Sequence, residues 1–431
     1  MQMYRPTVVV TSPAATRSGY GSRARDVIRA LVALDKYDVH VNLVPWGGTP
    51  QNALSLDDPR DKIIIDRINY NINFQPDVHI HIVVPNEFTP AGKFNIGITA
   101  GLETTLIPQD WIDGCNRMDL VLASSNFSAQ TMLSTEFRND QTKEVLKITK
   151  PVGVLFEGAD TNLYKVTSEC SKPLNDTLSQ IKENFNFLFV GHWLQGGLGR
   201  DRKDVGMLVK SFLESYKSVH NVGLIMKTSS ATPSKIDHED LMMKIGEIKA
   251  LVKNPDPPNI YLLHGDLHDY EMNQLYNHPK VSAHVTFTHG EGFGRPLLEA
   301  SLSGKPIIAP HWSGHVDFLD KKHAILLGGG LVDVGQDALP ENMWMKEMKW
   351  YMVNHKQAIS TMKNVKRNYR RFKIAAKKLM KQNARKFSFD AMVTHLDNIL
   401  NQSLPKFTQT VDVKLPNLKK LPKKLPKLEK A

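Results

Sequence analysis

Thr288-His289-Gly290-Glu291-Gly292-Phe293-Gly294-Arg295-Pro296-Leu297-Leu298-Glu299-Ala300 reads as a loop bent at glycines that opens into a helix, with two carboxylates eight positions apart. Gly292 and Gly294, on either side of Phe293, let backbone N–H groups come close to a phosphate or a sugar, and a helix N-terminus favours negative charge there. A carboxylate accepts two hydrogen bonds from a vicinal diol. Glu299, about one turn inside the helix, therefore suits a ribose, and Glu291 suits the hydroxyls of a second sugar.

The run continues through Ser301-Leu302-Ser303-Gly304-Lys305-Pro306 into the apolar Ile307-Ile308-Ala309. Together these segments resemble the E-x7-E signature of retaining glycosyltransferases with the GT-B fold, specifically family 4. The resemblance implies an α/β chain of two Rossmann-like domains facing a cleft, with a C-terminal helix crossing back to the first domain. It also implies transfer of a sugar, hexosyl or pentosyl, from a nucleotide-diphosphate sugar to an acceptor hydroxyl with retention.

Other segments fit the same family. Phe189-Val190-Gly191-His192-Trp193 followed by Asp201-Arg202-Lys203-Asp204 is similar to the segment in which an arginine and a lysine hold the diphosphate. A departing diphosphate gains negative charge, which fixed cations stabilise. Lys203 carries over directly. His192 stands where the family has its arginine, so the second cation is left among Arg202, Arg200 and His192. His264-Gly265-Asp266-Leu267 follows an apolar run where the family binds the nucleotide base, mostly through backbone. Glu103, just past the strand-like Asn95 to Thr99, is a candidate to contact the acceptor or the donor sugar. With Pro108-x-x-Trp111, Asp119 and Ser125-x-x-Ser128 it resembles a branch of the family with phage and viral variants.

Near the N-terminus, Gly19-x-Gly21-x-x-Ala24 matches a dinucleotide fingerprint and offers a rival oxidoreductase reading. A Rossmann fingerprint places its first glycine directly after the strand, whereas here eight residues separate Val10 from Gly19. The long glycine-bearing loop instead resembles the family's first loop, over the cleft near the donor phosphates. No Asp-x-Asp triplet for a metal-bound nucleotide is present, and the expectation is no metal or other cofactor beyond the nucleotide-sugar co-substrate. His79 and His81 share a strand face but have no evident third ligand. Cys115 and Cys170 are too few for a zinc cage or a disulfide framework.

The 431 residues suit two domains, and short β-branched runs alternating with helical stretches argue parallel α/β layers. The expected division is an acceptor-side domain over 1–165, a linker over 166–184, a nucleotide-sugar domain over 185–362, basic helices over 363–405 and a Lys/Leu/Pro tail over 406–431. Helices are expected from about Glu341 to Leu404. With 41% hydrophobic and 23% charged residues, no long apolar run and no signal-like start, a cytoplasmic protein is expected, in the host cytoplasm if viral.

The net charge of +11 is concentrated at the C-terminus. Lys363 to Lys386 holds eleven basic residues and no acid, and 406–431 carries +6, which leaves the rest of the chain at −6. Such a surface attracts a polyanion. The acceptor expected from the basic C-terminus and the viral likeness is DNA bearing a hydroxymethylated base. The alternatives are a cell-envelope glycan or lipid, with the basic helix resting on an anionic membrane, and a non-catalytic binding module on the same fold.

Overall fold

The computed structural model describes residues 4–230, 233–339 and 343–408. The Lys/Leu/Pro repeat expected to form a tail lies outside them from residue 409 onward. The first domain runs β1 (Thr7–Ser12), α1 (Gly19–Leu34), β2 (Asp38–Leu43), α2 (Pro59–Ile65), β3 (Val78–Ile82), β4 (Phe94–Thr99), α3 (Gln109–Asn116), β5 (Leu120–Ala123), α4 (Asn126–Ser134), the short hairpin β6 (Glu136–Arg138) and β7 (Val145–Lys147), and β8 (Val152–Val154). The second runs α5 (Lys172–Ser179), β9 (Phe185–Val190), α6 (Val205–Ser215), β10 (Val222–Lys227), α7 (Lys235–Val252), β11 (Ile260–Leu263), α8 (Asp269–Asn277), β12 (Val281–Val285), α9 (Arg295–Ser301), β13 (Ile307–Pro310), β14 (Ile325–Leu327), β15 (Gly329–Asp333) and β16 (Lys349–Val353). Three helices close the chain: α10 (His355–Arg367), α11 (Tyr369–Lys386) and α12 (Phe389–Ser403).

Two six-stranded sheets result, in the orders β2-β1-β3-β4-β5-β8 and β11-β10-β9-β12-β13-β14, with every strand pair in them parallel. Helices cover both faces of a parallel sheet, so its strands are buried on both sides and read as unbroken apolar runs such as Val8-Val9-Val10. In each sheet the strand order reverses once, at β1/β3 and at β9/β12. Ligands of open α/β sheets bind beyond the carboxyl ends of the strands at such switch points.

The domains meet in two places. At the hinge, Ala159 and Ser388 form a parallel bridge, with Ala159 N donating to Phe387 O at 2.9 Å and Phe389 N donating to Ala159 O at 2.8 Å. Helix α12, capped by Ser388, then buries Met392, Leu396 and Leu400 in the first domain's core. Their four-residue spacing gives one apolar stripe, and α12 crosses back to pack on α1.

The second meeting place corrects an expectation. The chain is not helical from about Glu341, a residue that itself lies outside the described set; α10 starts at His355, capped by Asn354. Before it, β15 and β16 pair antiparallel as a strap. The strap reaches the first domain, where Thr105 N donates to Lys349 O at 2.8 Å and Lys349 N to Thr105 Oγ1 at 3.0 Å. Val334, Leu339, Met348 and Trp350 belong to one apolar cluster with Leu102, Ile107 and Trp111 of the first domain. Its pattern was illegible because β16 is five residues long and the segment before it has neither helical nor strand period.

Candidate functional site

The second sheet's switch point is where the sequence placed its chemistry. His192 follows β9, and the Thr288–Glu299 run follows β12 and enters α9. Gly294 caps α9 with φ +94, a left-handed conformation that a side chain would strain. At Gly292 a Cβ would lie 2.5 Å from Ala100 O of the first domain, so the close approach of the two walls also requires a glycine there. The loop is pressed against the opposite wall of the cleft, with Ser128 Oγ 3.3 Å from Gly292 O. Phe293 is buried against Phe318 and points into the core.

Lys203 and Glu291 form a buried ion pair, each side chain 11% exposed. Arg202 Nη1 lies 2.7 Å from Glu103 Oε1, so this second pair joins the two domains. The backbone sets these positions, because His289 N and Thr288 Oγ1 both donate to Arg202 O, at 3.0 and 3.4 Å. Asp201 Oδ1 accepts from Val205 N at 3.0 Å and anchors the loop to α6. Burial lowers the pKa of Lys203, opposed by Glu291. Burial also works against the charge of Glu291, but Lys203 and then Arg202 outweigh it and hold its carboxyl below the ordinary value.

The structure distinguishes the three residues considered for the second cation. Arg202 stands in the cleft beside Glu103. Arg200 is exposed and reaches Asp337 at 3.5 Å. His192 turns its Nδ1 to Ser230 O at 3.1 Å, and the protein crowding the ring, then Lys203 and Arg202, depress its pKa. His264 Nε2 lies 2.7 Å from Asp237 Oδ2, and Asp237 also accepts from Ser230 N at 3.0 Å. Lys227 Nζ donates to Gly265 O at 2.6 Å. The loops after β9, β10 and β11 are thereby tied into one rim.

Glu299 departs most from its expected setting. Its carboxylate accepts from Arg295 Nε at 2.8 Å and lies 3.4 Å from Tyr276 OH, while Arg295 also pairs with Asp26 across the cleft. Burial pushes the Glu299 carboxyl up to about 7. Neither Arg295 nor Tyr276 was singled out from sequence as its partner; the four-residue spacing of Arg295 and Glu299 was the one available signal. Beside this network is a cavity of about 340 Å³ whose walls include Asp26, Tyr164, Asp269 and Arg295.

Across the cleft, Ser18 caps α1 by accepting from Gly21 N at 2.9 Å, so Gly19 and Gly21 form the first turn of α1 at the first sheet's switch point. Arg17 Nε lies 3.8 Å from Asp266 on the second domain's rim. His79 and His81 are enclosed instead, bonded to Thr11 Oγ1 and Thr89 N, and burial drives both down to about 4. Among the described residues no three His, Cys, Asp or Glu side chains are grouped to hold a metal, and no helix is long and apolar enough to cross a membrane.

No family model matches the chain. Over 199 residues it is 27% identical to the capsular polysaccharide biosynthesis glycosyltransferase CapM of Staphylococcus aureus, an alignment covering 46% of this chain and 44% of CapM. The chain thus spans less than half the length of that relative. Among solved structures, Anabaena Alr3699/HepE in complex with UDP and glucose superposes with a TM-score of 0.61 at 12% identity, covering 92% of this chain and all of HepE. Sucrose-phosphate synthase from Thermosynechococcus elongatus gives 0.62 at 12% identity, over 92% of this chain and 99% of that one. With two parallel six-stranded sheets facing one cleft and α12 crossing back, the fold of this chain is GT-B.

Proposed function

We propose that this protein is a glycosyltransferase that moves a sugar, with retention, from a nucleotide-diphosphate sugar to an acceptor hydroxyl. The observation that carries the reading is the pair of cation–carboxylate contacts at the switch point, Lys203–Glu291 and Arg202–Glu103. On this reading the two cations, on the loop beside the Glu291 run, are the diphosphate site, and each holds a carboxylate where the phosphates would lie. Binding exchanges partners. The diphosphate takes Lys203 and Arg202, Glu291 turns to the hydroxyls of the transferred sugar, and Glu103 turns to the acceptor or the sugar. The β1–α1 loop with Gly19 and Gly21 covers the phosphates, and the rim holding His192 and His264 receives the base. Fixed cations neutralise the leaving group without a metal, and the departing phosphate takes the acceptor proton.

Glu299 holds the ribose on this reading. Glu299→Ala leaves Arg295 paired with Asp26, so the fold should survive while nucleotide affinity falls about tenfold or more, the loss of a charged hydrogen-bond acceptor. Titration calorimetry with the nucleoside diphosphate checks this, and near-normal affinity and turnover would sink the assignment.

The acceptor we propose is DNA carrying a hydroxymethylated base, supported by the surface of α11. Lys373, Lys377, Lys381 and Arg385 lie four residues apart along one ridge of exposed side chains. Like charges at that spacing repel by about 0.2–0.5 kcal/mol per pair, and among the described residues no acid pairs with any of the four. An interfacial membrane helix presents an apolar face to lipid, whereas Ile374 is the one large apolar side chain of α11 that is mostly exposed, at 54%. Four phosphate contacts predict a slope of about −4 for log affinity against log salt, and charge reversal of the ridge should flatten it. A slope near zero contradicts the ridge as a docking surface. The CapM likeness favours a second reading, an envelope-glycan acceptor. Incubation with a panel of nucleotide sugars and either hydroxymethylated or unmodified duplex DNA separates the two: transfer confined to the modified duplex supports DNA, and donor hydrolysis without transfer supports the glycan.

A further inference from the structure

On the first-domain wall of the cleft, two aromatic rings stand outside the ion-pair network. Tyr20, in the first turn of α1, and Trp46, in the loop after β2, stack with centroids 4.2 Å apart and an interplanar angle of 25°. Hydrogen bonds fix where the pair stands. Tyr20 Oη lies 2.8 Å from Thr99 Oγ1 and accepts from Ala100 N at 3.2 Å. The carbonyl of the same Ala100 is what Gly292 presses against, and Ser128 Oγ, which donates to Ala100 O at 2.8 Å, lies 3.3 Å from Gly292 O. The stack therefore meets the Glu291 loop through Ala100, and Glu103 follows Ala100 by three positions.

Both rings are half-buried, and the space beside them is open: a Cβ added at Gly19, Gly47 or Gly48, the glycines next to the two aromatics, would meet no atom within 4 Å. The loop that carries Trp46 is nevertheless held. Val44 N donates to Ser12 O at 3.1 Å, Ala53 N to Ala15 O at 2.9 Å and Arg17 Nε to Asn52 Oδ1 at 3.1 Å, which ties it to the β1–α1 loop. Residues 44–58 form neither helix nor strand, and loops of that length inside a compact domain are usually functional. A rigid, partly exposed indole offers a wide π-face at small entropic cost. A base taken out of a duplex needs such a face, because it has given up the stacking of its neighbours. We infer that the Tyr20–Trp46 stack receives the flipped acceptor base, which extends the stack on Trp46 and turns its hydroxyl toward Glu291 and Glu103. The inference rests on the DNA-acceptor reading above.

The test uses the full chain, its preferred nucleotide sugar and two duplexes of one sequence, with and without the hydroxymethylated base. Trp46→Ala should raise KM for the modified duplex roughly 5- to 150-fold, the range for losing one base–aromatic stack. Trp46→Leu, apolar but without a π-face, should match it, while Trp46→Phe, which keeps a π-face, should stay within about threefold of the wild type. Binding of the unmodified duplex, carried by the ridge of α11, should change by less than about twofold in all three. A KM for the modified duplex that is the same in the wild type and Trp46→Leu overturns the inference. Equal weakening toward both duplexes with a lowered melting temperature also overturns it, and would leave Trp46 as packing for its loop. A wild type that transfers sugar to a glycan and none to the modified duplex contradicts the DNA-acceptor reading and removes the base as occupant, an outcome distinct from transfer to DNA that is indifferent to Trp46.

Discussion

Lys203→Ala should lower kcat for donor turnover by roughly 100- to 1,000-fold while the protein stays folded, the range found when one preorganised electrostatic group is removed from a developing anion. The size follows from the setting. Lys203 is buried beside Glu291 at the sheet's switch point, so solvent does little to replace its charge. Removing one partner of a buried pair also costs stability, typically about 3–5 kcal/mol, because the remaining charge is stranded. Here Arg202 still acts on Glu291, so the cost should fall at or below the lower end. Single-turnover rates on protein verified as folded by circular dichroism separate the two effects. A kcat within threefold of the wild type would remove Lys203 from the mechanism.

Trp350→Ala should destabilise the chain by about 3–5 kcal/mol, the usual cost of emptying a buried aromatic site. Trp350 is 1% exposed and stacks on His289 with ring centroids 4.2 Å apart and an interplanar angle of 15°. His289 is further held to the strap by Tyr351, whose N donates to His289 O at 3.1 Å and whose carbonyl is 2.7 Å from His289 Nδ1. The strap thus positions a residue two before Glu291 while joining the first domain's core. Turnover should fall with stability, and urea unfolding followed by tryptophan-independent circular dichroism measures the first effect. A loss under 1 kcal/mol would mean that the strap rests on the first domain without holding it.

The sheets were legible because a strand buried on both faces must be an unbroken apolar run. The strand-like Asn95 to Thr99 and the apolar Ile307-Ile308-Ala309 each match an observed strand to within one residue, β4 and β13. β8 and β14 are only three residues each, and the strap is held by contacts with another domain, which local period does not encode. The site followed the same division. Glu291, Glu299 and Lys203 stand in motifs whose spacing survives in one dimension. The partners that define their charge do not: Arg295 to Asp26, Glu299 to Tyr276 and Arg202 to Glu103 are made across the cleft or between helices.

The central claim is that the cations at the second sheet's switch point take the diphosphate of a nucleotide sugar. Release of nucleoside diphosphate from a panel of nucleotide sugars, compared between the wild type and the double variant Lys203→Ala with Glu291→Ala, tests it most directly. The double variant removes the buried pair together and leaves no stranded charge. The account predicts turnover of at least one nucleotide sugar by the wild type, with the anomeric configuration retained in the product, and its loss in the double variant with the fold preserved. A folded wild type that neither binds nor turns over any nucleotide sugar, or turnover undiminished in the double variant, would contradict it.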